Sequence, residues 1–183
     1  MNKTATRRYI KSPRVRIFLD EIRLYGHQQT LWPDHCVQGS EGAQLHAAIP
    51  WDRVSVIVRK GMDKDCDSYS GFRNNWNPAG ERPPTGLAGY LRERGIETVF
   101  CCGLARDVCV KWTAEDAADL GFATTVIWDL TRPVNPASDA RVRSALARRR
   151  SDRRIRVWKS QEVLVCRCAT TLRERTIKGA LSV

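Results

Sequence analysis

The chain has 183 residues, 42% hydrophobic and 28% charged, enough for one α/β domain with a real core and too few for two. That composition argues against global disorder, and no apolar run approaches the roughly 18–20 residues needed to span a bilayer. The formal net charge of +11 is uneven: residues 1–17 carry +6, residues 18–140 carry −5 and residues 141–183 carry +10.

The N-terminus, MNKTATRRYIKSPR, is basic but lacks the apolar stretch of a secretory signal, so a soluble, cytoplasmic protein is expected. Seven cysteines, an odd number without framework spacing, fit a reducing compartment. Basic ends can hold nucleic acid or acidic membranes through phosphates. Trp158 is the lone tryptophan in them, which gives base stacking little support, and solvated tails are the expected reading.

After residue 17 the chain runs into a segment, Tyr25–Ala43, punctuated by proline and glycine and rich in His, Gln and Trp, which reads as a long functional loop. Four short apolar runs follow as buried parallel strands: Val54–Arg59, Thr98–Leu104, Thr124–Leu130 and Ile155–Lys159. Between them lie three helical stretches. Thr85–Arg94 follows a Pro-Pro pair and stops at Gly95; Val108–Leu120 stops at Gly121; Ser138–Arg150 is capped by Ser138. Cys101 and Cys102 sit in an apolar run and read as core filler, while Cys166 and Cys168 form a C-x-C without the further ligands a zinc site needs. Alternation of strand and helix predicts a mostly parallel, doubly wound sheet in a three-layer α/β sandwich.

Ligands of such sheets bind beyond the carboxyl ends of the strands. Three segments converge there: Lys60-Gly61 after the first run, the turn Ala105–Cys109 after the second, and the loop bearing Trp32 and His35. Cys109 falls near the first turn of a helix, where exposed N–H groups and the positive dipole end favour a thiolate and can hold an oxyanion. Lys60 would add positive charge beside it. Spacing alone also admits a structural cysteine and a solvated lysine.

The residues in hand resemble a known family. Trp32-Pro33-Asp34-His35-Cys36-Val37-Gln38-Gly39, then Gly42-Ala43 and His46, is similar to the W-P-x-H-C-V segment of nicotinamidases. Lys60-Gly61 with Tyr69-Ser70-Gly71-Phe72, and Gly103-Leu104-Ala105-Arg106-Asp107-Val108-Cys109-Val110, look like its K-G…Y-S-G/A-F and G-L-A-x-D-x-C-V motifs. The resemblance, to the nicotinamidase/pyrazinamidase branch of the isochorismatase-like superfamily, covers roughly Phe18 to Pro136. It implies hydrolysis of nicotinamide, or a related aromatic amide, to nicotinic acid and ammonia through a Cys109 thioester, as in NAD salvage. It further implies Lys60 as the catalytic lysine, a cis peptide at Leu104–Ala105, and an oxyanion hole from the Ala105 and Cys109 amides. Trp32 and Tyr69 would wall the ring, and His35 would ligate a divalent metal (Zn, Fe or Mn).

The family's D-x-Q-x-D-F motif, which carries its catalytic aspartate on the first strand, and its D-x-H pair of metal ligands do not occur in the sequence. Reduced activity, a metal site left with His35, and a sheet lacking its first strand are therefore expected. Residues 1–17 and 166–183 are read as segments outside an isochorismatase-like domain at 18–165. The alternative is a truncated, non-catalytic relic whose basic ends bind nucleic acid or an acidic partner. Arg106 has two readings, pointing to solvent or intruding on the pocket. The oligomeric state, a homo-oligomer included, stays open.

Overall fold

The structure is a computed structural model that describes residues 20–148 and 155–162, with residues 180–182 as backbone. The segment 1–17 and the C-x-C at 166–168 lie outside the described residues, as do Arg149 and Arg150 at the end of the third expected helix.

Strands β1 (Glu21–Leu24) and β2 (His27–Thr30) form an antiparallel hairpin in which Leu24 faces His27. Its two-residue turn is Tyr25-Gly26, both with positive φ, the backbone that matches the twist of paired strands. The segment from Tyr25 is thus not loop throughout: its first part is the return strand, and irregular chain begins only after Thr30. Strand β3 (Val56–Val58) pairs in parallel with β7 (Ala180–Ser182) and is shorter than the expected run Val54–Arg59, because Val54 closes a preceding 3₁₀ turn, Trp51–Arg53, by donating its amide to the Trp51 carbonyl. Strands β4 (Thr98–Leu104), β5 (Ala123–Arg132) and β6 (Arg156–Trp158) make a parallel three-stranded sheet in the order β4-β5-β6. Helix α1 (Leu87–Glu93) precedes β4, α2 (Lys111–Asp119) joins β4 to β5, and α3 (Asp139–Ala147) joins β5 to β6. Strand, helix and parallel strand in this order are the α/β architecture that the apolar runs imply.

Side chains alternate along β4, and the alternation locates the core. Val99 and Cys101 point to the side on which the helices pack. Cys101 joins Val110, Ala114, Ala118, Val126, Val142, Leu146 and Ile155 in one cluster. Val99 lies against a second cluster of Phe72, Leu87, Leu91, Ile96, Ala117 and Phe122. Helix α2 serves both, turning Ala114 and Ala118 to one and Ala117 to the other. Its alanines let the helix approach closely, and leucines such as Leu91 and Leu146 supply roughly 1.5–3 kcal/mol each through burial. Phe100, Cys102 and Leu104 point to the opposite side and are exposed, so Cys102 is not the core filler expected for both adjacent cysteines. Burial pushes the inward Cys101 thiol up to about 12.

Candidate active site

Two strand ends build the site. β3 ends just before Lys60, and β4 ends at Leu104, where the Leu104–Ala105 peptide is cis. A π-helical turn, Arg106–Val110, then carries Cys109 directly into α2. The expected regular helix from Val108 is therefore a wider turn at its start, with the Val108 and Val110 amides both donating to the Ala105 carbonyl, at 3.1 and 2.9 Å. The Lys60 ammonium lies 3.8 Å from the Cys109 sulfur and donates to the Ser68 carbonyl at 3.1 Å. One cation thus ties the sulfur to the segment bearing Tyr69.

A second tie runs through Thr113. Its hydroxyl donates to the Cys109 carbonyl at 2.7 Å and accepts from the Gly71 amide at 2.9 Å. The wall beside the sulfur is aromatic. Tyr69 is buried, meets Trp112 edge-on at 5.3 Å and Trp32 edge-on at 6.3 Å, and accepts a hydrogen bond from the Trp32 indole at 2.8 Å. Gln29, buried on β2, donates to the Tyr69 hydroxyl at 2.5 Å and to the Asp67 carboxylate at 2.9 Å. Burial first, and the Asp67 charge second, hold the Tyr69 phenol well above its ordinary value, so it stays protonated.

Behind that wall, Arg82 forms a bidentate pair with Asp116 of α2 at 2.9 and 2.8 Å. Its guanidinium lies 5.4 Å from the Trp76 ring and 5.1 Å from the Trp112 ring. The Asp107 carboxylate accepts from the Val134 and Asn135 amides at 2.8 and 2.9 Å and from the Ser138 hydroxyl at 3.1 Å, which fixes the turn bearing Cys109 to the β5–α3 connection.

Of the residues singled out in the sequence, Cys109, Lys60, Tyr69 and Trp32 share this neighbourhood, with Leu104 and Ala105 leading into the turn. Leu104 itself is 72% exposed. His35 is exposed on its loop, and its ring nitrogen Nδ1 lies 2.8 Å from the Pro33 carbonyl. Among the described residues no group of three or more His, Cys, Asp or Glu is placed to hold a metal ion. Arg106 does not point to solvent: it is 5% exposed, and its guanidinium is bonded to Thr131 and Asp139. Sequence reasoning passed over Gln29, Arg82 and Trp112. Gln29 carried no signal in the sequence, because only the fold shows that its β2 position is buried.

Comparison with known proteins adds the lineage. Residues 15–152 match the Isochorismatase domain family. The nicotinamidase of Acinetobacter baylyi is 46% identical over 116 residues, covering 63% of this chain and 52% of that protein. The chain spans about half the length of the curated relatives it matches. The Acinetobacter baumanii nicotinamidase/pyrazinamidase structure matches with a TM-score of 0.72 and 36% identity over 84% of this chain and 70% of that one. PnC1 from L. infantum, solved in complex with nicotinate, matches with a TM-score of 0.64 and 41% identity over 72% and 62%. A pyrazinamidase from Pyrococcus horikoshii, solved in complex with zinc, gives 0.57 and 31% over 71% and 64%.

Proposed function

Because this chain belongs to the isochorismatase family, we propose that it is a nicotinamidase-type amide hydrolase, cleaving nicotinamide or a related aromatic amide to the acid and ammonia. The observation that carries the reading is the Lys60–Cys109 contact, 3.8 Å across two strand ends, beside the wall of Tyr69, Trp32 and Trp112. Relatives named nicotinamidases support the substrate class, as does the nicotinate complex of a structural neighbour.

In this reading the Cys109 sulfur adds to the carboxamide carbon and the carbonyl oxygen takes the negative charge. The Ala105 and Cys109 amides are assigned to that oxygen, where fixed donors stabilise charge as it develops. The C–N bond then breaks, the nitrogen leaves as ammonia with a proton taken from water, and the hydroxide so formed adds to the thioester, releasing the acid and returning the sulfur as thiolate. Lys60 partners the anionic sulfur before attack and again when the thioester opens. The flat ring lies against Tyr69 and Trp32, which sets the carboxamide over the sulfur.

The family's strand-borne aspartate motif is absent from the sequence, and a general acid–base group contributes roughly 10²–10⁴ in rate, so turnover below that of the relatives belongs to the proposal. A neighbour was solved with zinc, but the described donor set here does not fit such an ion, and no step is assigned to one. No helix among the described residues is long and apolar enough to cross a membrane, in keeping with the proposed cytoplasmic setting.

The test is ammonia release from nicotinamide by the purified chain beside Cys109→Ala. Release that disappears in the variant supports the reading. Absence of release from folded wild type overturns it and favours the non-catalytic alternative, whose mark is salt-dependent polyanion binding that survives loss of Cys109.

A further inference from the structure

The buried cation that the proposed chemistry does not use is Arg106. A fully desolvated guanidinium is costly unless its donors are met, and here they are met in three directions. Nε donates to the Thr131 hydroxyl at 2.8 Å, Nη2 to the Thr131 carbonyl at 2.8 Å, and Nη1 to the Asp139 carboxylate at 2.5 Å. The guanidinium also lies 4.1 Å from the centre of the Trp128 ring, and Arg143 lies 4.6 Å from the same ring. The Thr131 hydroxyl in turn donates to the Trp128 carbonyl at 2.7 Å, so the acceptor is itself held.

The position of this clamp in the chain gives it meaning. Arg106 is the first residue of the π turn and follows Ala105 directly; Cys109 comes three residues later. Its partners belong to the end of β5 and the start of α3. Asp107, the next residue, grips the β5–α3 connection through its own three bonds. Two consecutive side chains therefore pin the start of the turn, while Thr113 holds the carbonyl of Cys109 from the other side.

We propose that Arg106 is a positioning residue for Cys109: its clamp on Thr131, Asp139 and Trp128 fixes the start of the turn so that the sulfur stays opposite Lys60. The proposal rests on the hydrolase reading for its purpose and on the geometry alone for its effect on the sulfur. A planar fork with donors in three directions is what the site uses, so lysine, a point charge, fills the role only in part.

The test reads the sulfur directly. Wild type, Arg106→Met and Arg106→Lys are treated with limiting iodoacetamide at neutral pH, and the labelling rate of Cys109 is followed by peptide mass spectrometry against exposed Cys36 in the same sample. Labelling forms a sulfur–carbon bond and releases iodide, and its rate reports the immediate surroundings of the sulfur, which include Lys60 at 3.8 Å. The expected result is a fall of about five-fold or more in the Cys109/Cys36 ratio for Arg106→Met and a smaller fall for Arg106→Lys. A folded Arg106→Met whose ratio stays within two-fold of wild type overturns the proposal, whatever its melting temperature. Should Arg106→Met fail to fold, Thr131→Val removes one acceptor and carries the same expectation at reduced size, with an unchanged ratio again overturning it. Where wild type hydrolyses nicotinamide, kcat falls in the variants and KM holds. Where it does not, the hydrolase reading fails and the labelling ratio still decides the role of Arg106.

Discussion

Replacing Arg82 by methionine tests whether the pocket wall depends on a buried charge pair. Asp116 is 7% exposed and Arg82 22%, and both carboxylate oxygens are bonded to the guanidinium. Removing one member of a buried pair leaves the other charge uncompensated and typically costs 3–5 kcal/mol. Partial exposure of Arg82 places the cost at the lower end, about 3 kcal/mol, with contact to Trp76 and Trp112 included. With a urea slope of about 2 kcal/mol per molar, the unfolding midpoint should drop by about 1.5 M at unchanged slope. Arg82→Met combined with Asp116→Leu removes the orphan charge as well and should recover most of that loss, because an apolar replacement of a buried pair is close to neutral. Urea unfolding followed by tryptophan fluorescence measures both. A loss below about 1 kcal/mol in the single variant, or a double variant no more stable than the single, would refute the reasoning and mean that water reaches Asp116 freely.

Lys60→Met removes the cation 3.8 Å from the sulfur and should slow Cys109 alkylation at neutral pH by about ten-fold without changing the Cys36 rate; equal rates would detach Lys60 from the sulfur. The Cys101 thiol, held protonated to about 12 by burial, binds its proton more tightly folded than unfolded. Its contribution is complete below the unfolded thiol value near 9 and is lost as pH rises from there toward 12, at up to about 1.4 kcal/mol per pH unit. Cys101→Ala should flatten the alkaline limb of a stability–pH curve, and an unchanged limb would assign it to other groups. Addition of EDTA should leave the melting temperature unmoved and elemental analysis should find less than stoichiometric zinc, since the described donors do not converge on an ion; tight one-to-one zinc would contradict that.

Strand β4 was legible to the residue, because an uninterrupted apolar run before Gly103 has few other uses. The β1–β2 hairpin was not. Its turn is Tyr25-Gly26, and tyrosine at positive φ lacks the Asn-Gly or Asp-Gly signature that announces a two-residue loop. Cys101 and Cys102 looked alike in sequence, yet the two-residue period sends one to the core and the other to solvent, and periodicity in a fully apolar run does not say which. Cys109, Lys60 and Trp32 could be gathered because motif and strand-end logic agree on them, while Tyr69 was indicated by the motif alone. The supports behind them, Arg82 on Asp116 and Gln29 on Asp67, join residues 34 and 38 positions apart, and single-sequence reasoning has no handle on pairings of that span. Arg106 was ambiguous for the same reason: its partners Thr131 and Asp139 come later in the chain and only the fold brings them back.

The hydroxyl of Thr113 is shared by the Cys109 carbonyl and the Gly71 amide, two residues after Tyr69. One hydroxyl therefore couples the two segments: a shift of the chain at Gly71 is passed to the carbonyl of Cys109 without any other side chain between them. On the proposed hydrolase reading, a ring that tilts Tyr69 would also turn the sulfur, so Thr113→Val is expected to loosen the link between ring fit and turnover.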